Sequence, residues 1–126
     1  MSFANQRATL AAQLSNNVAW STFPFPPAVP QVNSVVIEPD DPYIVSTNQM
    51  QALTATMRIR VRMYLPLMDN EGNLAGLEDM AQAVRVRILD ATQNCGDLSA
   101  PSVFTTETGD LLTAYFPVEL LTEWAQ

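Results

Sequence analysis

The sequence contains no histidine and no lysine, and its single cysteine is Cys95. These absences remove Ser-His triads, Cys-His nucleophile pairs, Schiff-base lysines and histidine-based zinc sites in one step. One cysteine makes no internal disulfide and carries no information on compartment. Charge is scarce as well: 15% of the residues are charged, against ~25% in ordinary soluble domains. All 6 basic residues are arginine, and 13 acids set the net charge at -7. A chain of that sign gains no counterion-release free energy from phosphates outside a local basic patch, which excludes a sequence-independent DNA wrapper. No apolar run approaches ~20 residues, and the opening MSFANQRATLAAQL has no basic segment leading into a long apolar core. The expectation is a soluble protein made in the cytoplasm, with no membrane partner.

What remains is enough for a core. With 126 residues, 48% of them hydrophobic, and a mean hydropathy of +0.04, the chain fits a single domain over 1–126 that needs neither disulfide nor metal. The apolar content excludes disorder across the whole chain. Few charges and many apolar residues leave a neutral surface, which suits a permanent partner.

Ser2 can cap a helix over about 3–15, in which Phe3, Leu10 and Leu14 share a face, with Asn16 and Asn17 ending it. Residues 18–31 hold Trp20, Phe23, Pro24, Phe25, Pro26, Pro27 and Pro30 and read as an extended aromatic arm, too proline-rich for a helix or a central strand. Residues 34–38 predict a short strand stopped by Pro39, and Pro39-Asp40-Asp41-Pro42 has turn chemistry. Over 52–65 the alternation is nearly perfect. Leu53, Ala55, Met57, Ile59, Val61, Met63 and Leu65 occupy one face, and Thr54, Thr56, Arg58, Arg60, Arg62 and Tyr64 the other, the pattern of an antiparallel strand covered on one side. A loop over 66–73 follows. Leu74, Leu77, Ala81, Val84 and Ile88 then predict a helix over 74–91 that covers the sheet, with Gly96 as its stop. Ala75, Ala83, Val86 and Leu89 suggest a second apolar face on that helix. Strands near 102–107 and 111–119, joined through Thr108-Gly109-Asp110, predict a hairpin. The fold class is therefore α+β: one domain with an antiparallel or mixed β-sheet and two main helices packed on it.

Chemistry-bearing groups are few. Asp40 and Asp41 can bind a divalent cation or raise one another's pKa, but the favoured reading is a turn whose side chains bond local backbone N–H groups. Asp69-Asn70-Glu71-Gly72-Asn73 resembles a fragment of a calcium loop without its D-x-[DN]-x-[DN]-G spacing and reads as an exposed loop. Glu78 and Asp79 fall in the first turn of the expected helix, where acids favour the positive end of the dipole. No catalytic, cofactor or metal residue is assigned. The row Arg58, Arg60 and Arg62 projects from one strand face at about 6 to 7 Å spacing. It suits a solvated face with cross-strand acids, a pairing with a neighbouring subunit's carboxylates, or a nucleic-acid backbone. Trp20, Phe23 and Phe25 either dock on a partner as rigid anchors or wrap the chain's own core.

From Pro24 to Glu119 the arrangement resembles the tail-terminator family of long-tailed bacteriophages, including the minor tail proteins that share the lambda terminator fold. The resemblance is carried by the N-terminal helix and the proline-bearing connector, and by Val35-Val36-Ile37 running into Pro39-Asp40-Asp41-Pro42-Tyr43-Ile44. The long strand 53–65, the helix beginning with Leu74 and Leu77, and the closing hairpin complete it. The longer aromatic arm and the arginine row depart from the family pattern. The resemblance implies a ring-forming structural virion protein, not an enzyme. Its usually hexameric ring would sit at the head-proximal end of the tail tube, end tube polymerisation and present the head-attachment surface. Its partners would be further copies of itself, the tail tube protein and a head-to-tail connector protein, with DNA passing through the lumen unbound; it would work in the virion tail or neck after assembly in the host cytoplasm. Candidate interface residues are Phe23, Phe25, Asp40, Asp41, Tyr43, Arg58, Arg60, Arg62 and Val86. The alternatives are a neck or stopper ring component, a tail tube subunit, a carboxylate-based metal-binding hydrolase using Asp40 and Asp41, and a small ligand-binding module using the aromatic arm.

Overall fold

The computed structural model describes residues 3–15, 20–27, 32–46, 54–66, 70–88, 93–106 and 109–123. Among the described residues two helices, α1 (Phe3–Leu14) and α2 (Asn70–Arg85), accompany six strands: β1 (Ser21–Phe23), β2 (Ser34–Ser46), β3 (Thr54–Pro66), β4 (Gln93–Cys95), β5 (Ser102–Thr106) and β6 (Gly109–Glu123). The sheet order is β1-β2-β3-β6-β4, with β5 paired to β6 beside β4. All pairings are antiparallel except β1 with β2, so the sheet is mixed.

The alternation read in β3 sets the layers. Ala55, Met57, Ile59, Val61, Met63 and Leu65 are all buried on one face. Their register partners on β6, including Leu112, Ala114, Phe116, Val118 and Leu120, line the same face. Leu10 and Leu14 of α1 and Leu77, Met80, Ala81 and Val84 of α2 close over it as a single core. Both helices therefore lie on one side of the sheet. Ile88 tucks into this core beyond α2 because the chain tightens there: the Arg87 N–H donates to Val84 O and the Ile88 N–H to Arg85 O, i to i+3 bonds that end the helix.

Several expectations change. β2 does not stop at Pro39; it continues to Ser46 through a bulge between Pro39 and Ile44. The reason is position. Along this stretch β2 is an outer strand, so prolines lacking an N–H cost no ladder bond. The helix expected over 74–91 runs from Asn70 to Arg85, so 70–73 are not loop, and the exposed Glu78 and Asp79 sit mid-helix rather than in its first turn. Gly96 does not end that helix. It follows β4, a strand the sequence did not announce, and donates its N–H to Pro117 O at 2.7 Å; a Cβ there would lie 2.7 Å from Pro117 Cγ. The expected second helix face is met only in part: Ala75 and Val86 are exposed, Val86 in the turn beyond the helix, whereas Ala83 packs against the core. The final strand extends from 119 to Glu123. Asn16, Asn17, Leu53, Asp69 and Leu89 lie outside the described residues.

The arm divides. Trp20 is buried in the core and donates its Nε1–H to Leu14 O at 2.8 Å, while the Arg87 guanidinium lies 5.4 Å over its ring. The indole thus ties the end of α1 to the turn after α2. Trp20→Phe keeps most of the apolar contact but leaves the Leu14 carbonyl without this donor. The expected loss is ~1–3 kcal/mol of unfolding free energy, read as a lower urea midpoint at unchanged slope.

Candidate functional site

The face of the sheet opposite the helices carries most of the residues singled out from sequence. β1 and β2 run parallel, placing Phe23 opposite Val36. Phe23 packs with Val36, Tyr64 and Leu111 as a small second cluster, and Phe104 of β5 meets the Tyr64 ring edge-on at 5.9 Å between centroids. At the other end of this face Val45 and Leu121 flank Thr56 in register and are exposed. The arginine row occupies the middle.

Each arginine finds a partner within the chain. Arg62 Nε donates to Glu38 Oε1 at 2.7 Å and Arg62 Nη1 to Thr113 Oγ1 at 3.2 Å. Arg60 reaches Asp40 Oδ1 through Nη2 at 3.0 Å and Nε at 3.1 Å. Arg58 approaches Asp40 Oδ2 at 3.7 Å and Glu119 Oε1 at 4.0 Å, and donates to Pro42 O at 3.4 Å. The Arg60 and Arg62 guanidinium carbons each stand 4.8 Å from the centre of the Tyr115 ring, so one aromatic face system holds two cations in place. Cross-strand pairing, one of the three uses open to the row in the sequence, is present within the chain. The three arginines and the acids Glu38, Asp40 and Glu119 cancel, so the net charge of -7 resides in the other residues.

The β2 bulge builds the acidic side of this row. Asp40 Oδ1 also accepts the Asp41 N–H at 2.8 Å, the local backbone bond expected of a turn-type aspartate. Burial opposes ionisation of Asp40, but the Asp41 N–H and the guanidinium groups of Arg60 and Arg58 outweigh it, and the carboxyl titrates below its ordinary range. Asp41 is exposed, and Tyr43 packs against the main core with Ile44. Phe25 and Val86 are exposed, at 56% and 63%. Burial pushes the Tyr64 hydroxyl up, with Glu38 adding to the rise and Arg62 opposing it; burial likewise raises the Cys95 thiol, with Arg85 opposing the rise and Asp97 adding to it. Among the described residues no group of three or more His, Cys, Asp or Glu is placed to hold a metal, and no helix is long and apolar enough to cross a membrane.

Sequence reasoning missed Glu38, Thr113, Tyr115 and Glu119 as members of this face. The signal was present: the odd positions of 111–119 alternate with the core positions Leu112 to Val118.

The depressed Asp40 pKa fixes the sign of a pH effect. Its contribution to stability is present above the unfolded-state value of 3.8 and is lost as pH falls through the lower folded value. Asp40→Asn is therefore less stable than wild type at pH 7, and the difference narrows below about pH 4, measured by denaturant unfolding across that range.

No family model matches this sequence, and no curated protein matches it.

Proposed function

We propose that this chain is a structural virion protein of the tail-terminator kind, whose ring caps the head-proximal end of a phage tail tube and offers the surface for head attachment. The observation that carries the reading is the placement of unlike apolar residues on opposite layers. Val86, 63% exposed, lies beyond α2 on the helical layer, and Leu121, 62% exposed, projects from the sheet face opposite the helices. A ring closes through heterologous contacts, which join two different patches of the same chain. Exposed Phe25 beside Pro24 and Pro26 adds an anchor of low conformational entropy. The element order, with its closing hairpin, supports the resemblance described above, and the absence of histidine and lysine from the sequence favours assembly over catalysis. A net charge of -7 suits a lumen through which DNA slides without sticking.

The self-paired arginine row alters how its role is tested. Because Arg58, Arg60 and Arg62 already hold Glu38, Asp40 and Glu119, ring contacts are better sought at Phe25, Val86 and Leu121.

Tail length separates this function from its neighbours. Infection with phage lacking this chain is expected to yield overlong, headless tubes in negative-stain micrographs. Tails of normal length that fail to join heads identify a neck or stopper component, and absence of any tube identifies the tube subunit. Microscopy of purified wild-type tails is expected to show a ring of this chain at the head-proximal tip.

A further inference from the structure

The two outer edges of the sheet are built differently. Beyond β1, the outer edge of β2 carries Pro39 and Pro42, the acids Asp40 and Asp41, and a bulge. These are the devices by which sheets prevent a foreign strand from adding. The opposite edge ends in β5, Ser102-Val103-Phe104-Thr105-Thr106, which has no proline, no charge and no bulge, and is exposed from Ser102 to Thr105. Among the described residues no strand pairs with its outer side.

The backbone direction of β5 follows from its neighbours. Ser99 N–H donates to Tyr115 O, the Tyr115 N–H donates to Ser99 Oγ, and Gly96 N–H donates to Pro117 O, so odd residues of β6 turn their polar groups toward this edge. At period two, Thr113, Leu111 and Gly109 do the same, and their register partners Ser102, Phe104 and Thr106 bond inward. Val103 and Thr105 therefore direct N–H and C=O outward.

We infer that β5 pairs antiparallel with β5 of a second copy of this chain, joining two sheets across a two-fold axis at Phe104. Val103 of one copy then faces Thr105 of the other, and each such pair exchanges both N–H···O bonds. The Phe104 side chains meet in the non-hydrogen-bonded position, where cross-strand aromatic pairs approach most closely, each already backed by Tyr64. A second copy fits better than an unrelated strand for two reasons. The edge is self-complementary in this register, and it is an uncharged segment through which chains of net charge -7 meet without opposing acids. This isologous contact is independent of the ring proposed above, which joins unlike patches.

Sedimentation velocity on the full-length chain over a range of concentrations tests it. Wild type is expected to sediment as a reversible dimer, with Val103 and Thr105 amides protected from hydrogen exchange. Thr105→Pro removes an outward N–H from each copy while sparing the β5–β6 bonds. It is expected to weaken the dimer by more than about tenfold, the loss that missing backbone hydrogen bonds imply, with unchanged circular dichroism. Thr105→Ser is expected to behave as wild type. A monomeric wild type, rapid exchange at Val103 and Thr105 in the dimer, or a dimer that a folded Thr105→Pro leaves intact would overturn the inference. Should Thr105→Pro fail to fold, the exchange pattern of the wild type decides.

Discussion

The register of β3 is the constraint on which the remaining structure depends. Its side chains alternate without a break between the core and the arginine face, and it is paired on both sides along most of its length, with β2 and β6. A shift of one residue would carry Arg58, Arg60 and Arg62 under the helices and expose Ile59, Val61 and Met63. Burying unpaired guanidinium groups costs several kcal/mol each, so the misregistered sheet has no competitive packing. The cross-strand acids select the same register from the other face, since Glu38 and Asp40 meet Arg62 and Arg60 only when β2 is aligned as observed. The ion row contributes more to alignment than to stability. The outermost contact, Arg58 with Glu119, is of the kind worth ~0 to 1 kcal/mol, and the more buried Arg60–Asp40 and Arg62–Glu38 pairs offset their attraction with desolvation, whereas the slip they oppose would dismantle the core.

Elements with strong period were legible from sequence, and elements defined by position in the sheet were not. The alternation over 54–66, the face of Leu10 and Leu14, and the antiparallel pairing of β5 with β6 follow from local pattern, although Gly109 and Asp110, expected in the turn, open β6 instead. The bulged passage of β2 through Pro39 and Pro42 could not be read that way, because a proline ends a central strand but not an outer one, and only the sheet order says which β2 is. The strands β1 and β4, three residues each, carry too little period to register. Ser99 serves where β4 has ended and β5 has not begun, and nothing local marks it. The arginine row was visible as three like charges. Its partners were not, because Glu38 and Asp40 are some twenty positions away in sequence and Tyr115 lies on the far side of the sheet's longest connection.

The aromatic arm shows how composition misleads about exposure. Its prolines predict an extended segment, and among the described residues a strand forms only over Ser21–Phe23, with a bend at Pro24 and Phe25; its three aromatic residues serve different environments. Trp20 is in the main core, Phe23 joins the small cluster on the arginine face, and Phe25 faces solvent. The parallel pairing of β1 with β2 lets a short stretch cross from the helical layer to the other side of the sheet.

The strand order has a consequence for synthesis. β6 is made last among the described strands, yet it lies between β3 and β4 in the sheet and supplies Leu112, Ala114, Phe116, Val118 and Leu120 to the core face. Until residues 109–123 have left the ribosome, β3 has only β2 beside it, and Ile59, Val61 and Met63 lack the strand that completes their layer. The most heavily paired contact joins segments some fifty residues apart, which places this chain among slow, non-local folders. Nascent copies on a polysome therefore hold an apolar face open until β6 emerges, a state in which neighbouring chains are held close enough to aggregate.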